Sequence, residues 1–329
     1  MSNRYWIGFD LGGTKMLATL FNDDLVKIFQ LKRKTKSDNG ASDPQRVTET
    51  INRMLAAWGG PKNEVAGIGI GAPGALDSAS GVVINAPNLG WHNVGIGMIL
   101  GSTFNLPISL VNDVDAGTYG EYCSGAASGS RCVLGVFPGT GIGGGCIYEG
   151  KILQGNSTSI MEIGHIQVVE NGLRCGCGKR GCLETVASRL AIAGQAAIAA
   201  CRGEAPALLA ATGCDITKIK SGALATAVAA GDAVVEDIVR HAARALGQGI
   251  AIAVNLLGPD VVVLGGGLVE AMPDLYREEV AAGITPGTFS IYHGSYRIAI
   301  AQLGDDAVAL GAAAHCRQVV TGHGENGAT

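Results

Sequence analysis

An aspartate at the end of an apolar run can do acid–base chemistry, and this sequence places one between two glycine-rich segments. The run Leu106-Pro107-Ile108-Ser109-Leu110-Val111 stops on Asn112-Asp113 and is followed by Ala116-Gly117-Thr118. Such a pattern reads as a strand that delivers a carboxylate to a cleft edge, where it accepts a proton from a bound hydroxyl. The plainer alternative is a strand-terminal Asp that caps the next helix. Asp10-Leu11-Gly12-Gly13-Thr14-Lys15 precedes the aspartate, and Gly139-Thr140-Gly141-Ile142-Gly143-Gly144-Gly145 follows it. A base flanked by two phosphate cradles points to phosphoryl transfer. The first cradle is not a P-loop: it ends Thr-Lys in place of Lys-Ser/Thr, and a strand pattern follows it. It reads as a hairpin turn whose amides reach an oxyanion, with Asp10 and Lys15 beside it. The second is not a dinucleotide fingerprint, because a β run and not a helix comes after it.

A second constellation holds metal ligands. His165, Cys175, Cys177 and Cys182 give His-x9-Cys-x-Cys-x4-Cys, with Gly176, Gly178 and Gly181 to wrap the chain around one ion. Three thiolates and one imidazole match a closed structural zinc site that leaves no position open for catalysis. Glu162 and Glu184 bracket the cluster; a loop folded around zinc fixes both as acceptors for vicinal sugar hydroxyls. The amide-rich segment Asn85-Ala86-Pro87-Asn88-Leu89-Gly90-Trp91 has no period and suits a loop lining a polar pocket, with Asn88 at its middle.

These groups need elements to position them. Tyr5 to Asp10, Met16 to Phe21 and Leu25 to Leu31 read as an antiparallel meander. Ser42-Asp43-Pro44 starts a helix whose apolar positions Val47, Ile51, Met54, Leu55 and Trp58 recur at helical spacing up to Gly59-Gly60. Val65 to Ile70, Cys132 to Phe137, Ile142 to Tyr148 and Val261 to Leu264 read as further strands, the last running into Gly265-Gly266-Gly267. Asp232 to Leu257 and Pro273 to Ala282 read as helices, then Tyr296 to Leu303 as a strand and Asp305 to Val320 as a final helix before a frayed tail. Ala205 to Gly222 has the least pattern.

Bulk numbers set limits. At 329 residues two domains are expected. Fifty-one glycines without a period imply many turns and close backbone approaches, and a net charge of −4 without a basic stripe argues against nucleic acid as a partner. No run nears the roughly 18 apolar residues of a membrane span. No signal-peptide core precedes Asp10, so nine cysteines, three of them clustered, argue for a reduced cytoplasmic protein in which metal is favoured over disulfide.

From about residue 5 to 320 the chain resembles the ROK family (repressor, open reading frame, kinase) of sugar kinases, in the actin-like ATPase superfamily. The resemblance rests on Asp10 to Lys15, Asn112-Asp113, Gly139 to Gly145, Glu162-Ile163-Gly164-His165 and Cys175 to Glu184. It implies an α/β protein of two ribonuclease-H-like domains flanking an active-site cleft: residues 1–115 with the carboxyl-terminal helix 304–320, and residues 116–303 with the zinc loop. It further implies that Asp113 is the general base and that Asn112, Glu162, His165 and Glu184 hold the sugar. Gly12, Gly13 and Thr14 match the first phosphate segment, Gly139, Thr140 and Gly141 the second, and Gly265 to Gly267 the approach to the nucleotide. Asp10 would help hold Mg²⁺ through water.

The activity so implied is ATP-dependent phosphorylation of a neutral hexose, D-glucose at O6 before N-acetylglucosamine, N-acetylmannosamine or fructose, by a homodimer. Two acids, an amide and an imidazole suit a neutral polyol, and no arginine pair near the motifs prepares for an anionic one. The rival is a sugar sensor or repressor, which in the family carries a helix-turn-helix before the first strand; here that strand begins about five residues in. One departure stands out. Ile160-Met161 occupy the place where many family kinases carry small residues, often Ala-Gly, and bulk there looks more like the repressors.

Overall fold

The strand Val65–Ala72 alternates Gly67, Gly69 and Gly71 with Ile68 and Ile70. Because successive side chains point to opposite faces, one face of this strand is bare backbone and the other is aliphatic. That asymmetry decides what packs where in the first half of the molecule. The computed structural model describes residues 4–36, 43–155 and 159–325. Ser42 of the expected helix start and the last four residues of the tail lie outside the described residues.

In chain order the first elements are β1 (Tyr5–Leu11), β2 (Lys15–Asn22), β3 (Lys27–Lys34), α1 (Gln45–Trp58) and β4 (Val65–Ala72). Then come β5 (Ala75–Asp77), β6 (Val82–Ala86), β7 (Trp91–Val94), α2 (Ile96–Phe104), β8 (Ile108–Asn112) and α3 (Asp113–Ser124). The middle of the chain forms β9 (Cys132–Pro138), β10 (Ile142–Tyr148), β11 (Lys151–Ile152), α4 (Glu184–Ala187) and α5 (Arg189–Cys201). The remainder forms α6 (Pro206–Thr212), α7 (Ser221–Ala229), α8 (Ala233–Leu257), β12 (Val261–Leu264) and α9 (Gly267–Ala271). It closes with α10 (Pro273–Ile284), β13 (Arg297–Ile300) and α11 (Ala307–Glu325).

The chain divides into two compact units, residues 1–129 with 145–160 and 303–329, and residues 130–144 with 161–302. In the first unit the sheet order is β3-β2-β1-β4-β8, an antiparallel meander joined to three parallel strands, β1, β4 and β8. Helix α11 lies on the glycine face. A Cβ on Gly69 would stand 1.9 Å from the Ala312 carbonyl oxygen, and one on Gly8 1.8 Å from that of Ala309. The aliphatic face carries the core: Ile7, Phe9, Ile68 and Ile70 meet Val47, Ile51, Met54 and Leu55 of α1 and Ile96 and Leu100 of α2. Each such side chain, fully buried, stabilises the unit by roughly 1.5–3 kcal/mol. Gly59, at φ 71°, ends α1 in the left-handed region that glycine adopts without strain.

The second unit is built on the sheet β11-β10-β9-β12-β13, in which β9, β12 and β13 run parallel. Its core gathers Leu134, Val262 and Leu264 with Leu246, Ile250 and Val254 of α8 and Tyr276 and Val280 of α10. Helices α8 and α10 meet at Gly247 and Gly283; a Cβ on Gly283 would come within 2.1 Å of the Arg244 carbonyl oxygen. Nearly buried Glu279 accepts from Arg240 at 2.8 Å and Arg244 at 2.6 Å across the same pair.

Several expectations need correction. Asn85 to Trp91 is not one irregular loop: its two ends are strand residues of a small antiparallel sheet, β5-β6-β7, around the turn at Pro87–Gly90. Ala205 to Gly222 contains α6 and the start of α7. The last helix continues to Glu325, past the expected end at Val320. Helix α3, placed by the sequence reading beyond the first domain, packs within the first unit, where Gly311 of α11 sits so close to Ala116 that a Cβ would be 1.8 Å from its oxygen. Cys201 and Cys214, which no motif pairs in the sequence, are neighbours with Cα atoms 5.6 Å apart. Helix α6, folded back between them, brings them together across 13 residues.

Candidate functional site

In the first unit the parallel strands bring three segments to one edge. Asp10 pairs in register with Gly71, and Val111 and Asn112 with Gly71 and Ala72, so the carboxyl ends of β1, β4 and β8 lie side by side. Gly71, the middle residue, has no side chain to separate them; a Cβ there would lie 3.7 Å from the Asp113 Cα. Asp10 is pushed up to about 7, first by burial and then by the charges of Asp113 and Asp305, with Lys32 opposing. Burial also raises Asp113, while hydrogen bonds from the backbone amides work against it. Two acids so placed are a poor pair alone and a good one beside a cation.

The turn from β8 into α3 fixes the base. Asn112 is the N-cap: its Oδ1 accepts from the Val114 amide at 2.9 Å and the Asp115 amide at 3.4 Å. Asp113, the first helical residue, takes a second Val114 contact on Oδ1 at 2.9 Å. The cap role therefore falls on Asn112, which leaves only its Nδ2, 3.4 Å from the Gly74 oxygen, for a further partner. The first glycine loop is braced from β3: the Thr35 hydroxyl donates to the Gly12 oxygen at 2.6 Å, and its amide to the Thr14 oxygen at 3.0 Å. Asn88 sits on this loop, its Cβ 3.1 Å from where a side chain on Gly13 would begin. Thr14 and Lys15 are exposed.

The second unit assembles the other predicted residues. Gly139 to Gly141 follows β9 and Gly265 to Gly267 follows β12; these strands are parallel neighbours, so both segments leave the same edge. Gly266, at φ 83°, passes so close that a Cβ would meet the Pro138 oxygen at 3.0 Å. Glu184 reaches this edge too, its Oε2 accepting from the Ile142 amide at 3.2 Å. Gly141 must lack a side chain, since its Cβ would stand 2.3 Å from that carboxylate.

The four metal-ligand candidates converge, with their ligand atoms all within 4.8 Å of one another. His165 Nδ1 to Cys175 Sγ and Cys177 Sγ to Cys182 Sγ each measure 3.6 Å. A tetrahedron with zinc–sulfur bonds of about 2.3 Å has edges of about 3.8 Å, so the donor set fits the ion. His165 turns its other nitrogen, Nε2, to Glu162 at 4.0 Å. One imidazole thus serves the cluster on one side and faces the sugar-binding candidates on the other. Met161, just before Glu162, holds φ 66°, the left-handed region that a glycine would occupy without cost.

The model of one family, the ROK family, matches residues 6–319. The chain belongs to the ROK family. A glucokinase of Halalkalibacterium halodurans is 34% identical over 285 residues, covering 84% of each chain. Among solved structures, a ROK family glucokinase from Streptomyces griseus in complex with glucose and AMPPNP is 30% identical with a TM-score of 0.81, covering 95% of this chain and 99% of that one. A ROK family transcriptional regulator, homolog of the E. coli MLC protein, is 26% identical with a TM-score of 0.85, and 78% of that chain is covered. The fold is accordingly the α/β fold of the actin-like ATPases.

Sequence reasoning missed two groups. Asp305 and Lys32, joined at 2.6 Å, act on Asp10 from the turn before α11 and from β3; neither stands in a motif. Arg189 opens α5, and its guanidinium lies on Thr140. Its signal, an arginine seven residues after Cys182, carries no pattern of its own.

Proposed function

We propose that this chain phosphorylates D-glucose at O6 with ATP. The reading is carried by Asp113: a carboxylate at a strand-to-helix turn, beside a second acid and a glycine loop, with its affinity for protons raised by burial. The family membership and the glucokinases among its relatives support it. Asp113 takes the O6 proton as the hydroxyl attacks. Glu162 and Glu184 accept from sugar hydroxyls, and His165 donates through Nε2, since Nδ1 is committed to the cysteine cluster. Asn112 donates through Nδ2, and Asn88 lines the pocket. The amides of Gly12 to Thr14 and of Gly139 to Gly141 receive phosphate oxygens, Lys15 supplies charge beside the first loop, and the Gly265 to Gly267 backbone takes the nucleotide. Asp10 would hold Mg²⁺, which would supply positive charge where phosphoryl transfer rests on positioning and electrostatics. Zinc on His165, Cys175, Cys177 and Cys182 is structural. The reaction belongs to the cytoplasm, where ATP is abundant; among the described residues no helix is long and apolar enough to cross a membrane.

A second sugar class has its own support. An apolar cavity of about 320 Å³ adjoins Glu162, lined by Met161, Ile163, Ile166, Ile252 and Ala253 among others. An N-acetyl methyl group fits such a lining. The deciding measurement is kcat/KM for glucose, N-acetylglucosamine, N-acetylmannosamine and fructose at saturating Mg-ATP. Glucose should lead; a tenfold advantage for an N-acetylhexosamine reverses the order, and no turnover with any sugar returns the chain to the sensor class.

The active form is read as a homodimer. Phe289 and Ile291 are exposed, and Asn255 stitches their loop to α8 through the Gly287 oxygen and the Phe289 amide, both at 2.8 Å. One apolar patch of this kind is better covered than wet. Light scattering should give twice the 33.4 kDa chain mass; a monomer at micromolar concentration overturns the reading.

A further inference from the structure

We propose that Arg189 binds the phosphate tail of the nucleotide donor, as a positively charged side chain added to the second glycine loop. The inference rests on the kinase reading above. It starts from how the loop is built. The Gly139 amide donates to the Gly141 oxygen at 2.8 Å, which curls the loop tightly and turns the exposed Thr140 outward. The start of α5 is then fastened to it. Ser188 caps the helix, its hydroxyl accepting from the Ala191 amide at 3.2 Å, and the Arg189 amide donates to the Gly139 oxygen at 2.8 Å. With its backbone held there, the Arg189 side chain folds over the loop and donates from one terminal nitrogen to the Thr140 hydroxyl at 2.7 Å.

That hydroxyl is a weak partner for a guanidinium. An arginine has five N–H donors in a fixed fork, and its strong partners are carboxylates and phosphates. Other arginines here have found them: Arg240 and Arg244 share Glu279, and Arg33 faces Glu49 at 3.6 Å. Among the described residues Arg189 has no carboxylate partner, and Thr140 is the group its side chain donates to. Glu184, the nearest acid in sequence, turns its oxygens to the Ile142 amide and to Cys175 and not to Arg189. The loop's backbone can offer an incoming anion only neutral N–H groups. A half-buried, unneutralised arginine, anchored at that loop by one hydrogen bond from its backbone amide and one from its guanidinium, supplies the missing charge. The class of ligand is a phosphoanhydride, not a sugar hydroxyl, because the donor set adds no acceptor.

The test separates nucleotide from sugar. Arg189→Ala and Arg189→Lys are compared with the unaltered chain for KM of ATP, KM of glucose, and calorimetric binding of ADP and of adenosine in the absence of sugar. A charge-assisted hydrogen bond contributes about 1.5–3 kcal/mol, or roughly tenfold or more in affinity. Expected results are ADP binding weakened about tenfold in Arg189→Ala, adenosine binding unchanged, KM for ATP raised, KM for glucose within twofold, and part of the loss recovered in Arg189→Lys. Equal losses for ADP and adenosine, or a rise in glucose KM to match, make Arg189 a loop brace and overturn the proposal; so does unchanged ADP binding. If Arg189→Ala does not fold, the Lys variant and Arg189→Gln carry the same comparison. Absence of all sugar turnover in the unaltered chain strikes at the kinase reading, while ADP calorimetry still judges Arg189.

Discussion

Asp113→Asn keeps the shape of the residue and its contact with the Val114 amide, and removes only the proton acceptor. Turnover should fall by roughly 10² or more, with melting temperature and glucose binding nearly unchanged; a kcat near that of the unaltered chain sinks the assignment. Met161 offers a cleaner backbone experiment. At φ 66° any L side chain is strained, so the usual ranking of Ala over Gly should invert. Met161→Gly should be more stable than Met161→Ala by about 1 kcal/mol in urea unfolding, since both lose the side chain and only one keeps the strain. Equal stabilities would show that the local backbone relaxes. At this scale the sequence is readable where chemistry and spacing coincide, as in the Asp10 to Lys15 turn and the cysteine cluster. It is not readable where a single long side chain reaches across the fold. Arg189 and Lys32 act through contacts with residues 49 and 273 positions away, and no local pattern encodes those.

Elements with a strong period announced themselves: α1 and α8 have continuous apolar stripes, and the meander β1 to β3 has clear turns. The weakly patterned ones did not. Helices α5, α6 and α7 are rich in alanine, which favours a helix without marking a face, and β5 to β7 are too short for alternation to register. The 3-10 turn Ile163–His165 and the loop from Cys175 to Cys182 have almost no regular structure of their own. Their four ligand candidates converge, and a metal held there would fix their shape. Purified protein should therefore carry about one zinc per chain by elemental analysis. Cys177→Ser, or strong chelation, should reduce stability and glucose affinity together, because Glu162 and Glu184 ride on that loop. Fully active protein without zinc contradicts this.

At the scale of the whole molecule, a split near residue 115 with the carboxyl-terminal helix joined to the first domain follows the motifs, whereas the contacts place the split at Gly129 and add residues 145–160 to that unit. Motifs mark where chemistry sits and say little about which helix closes which core. Helix α11 shows how tightly such a closure is made. Gly8, Gly69 and Gly120 admit it at backbone contact, and His315 buries its ring beside Ser109, Nδ1 to hydroxyl 2.7 Å, with burial pulling its pKa down.

For a chain made from its amino end, this means that the first unit cannot be finished until residues 303–325 have been made. While the second unit is already able to fold on the ribosome, the sheet that carries Asp10 and Asp113 waits with its glycine face open and its Trp6 and Val111 uncovered. The nascent protein should lean on chaperones for that interval. A chain ending at Gln302 should bind a hydrophobic dye strongly and expose β1 to proteases, and a synthetic peptide of residues 303–325 supplied in trans should reverse both. If the shortened chain is already compact and protease-resistant, α11 is an addition to a finished unit and not its last structural part.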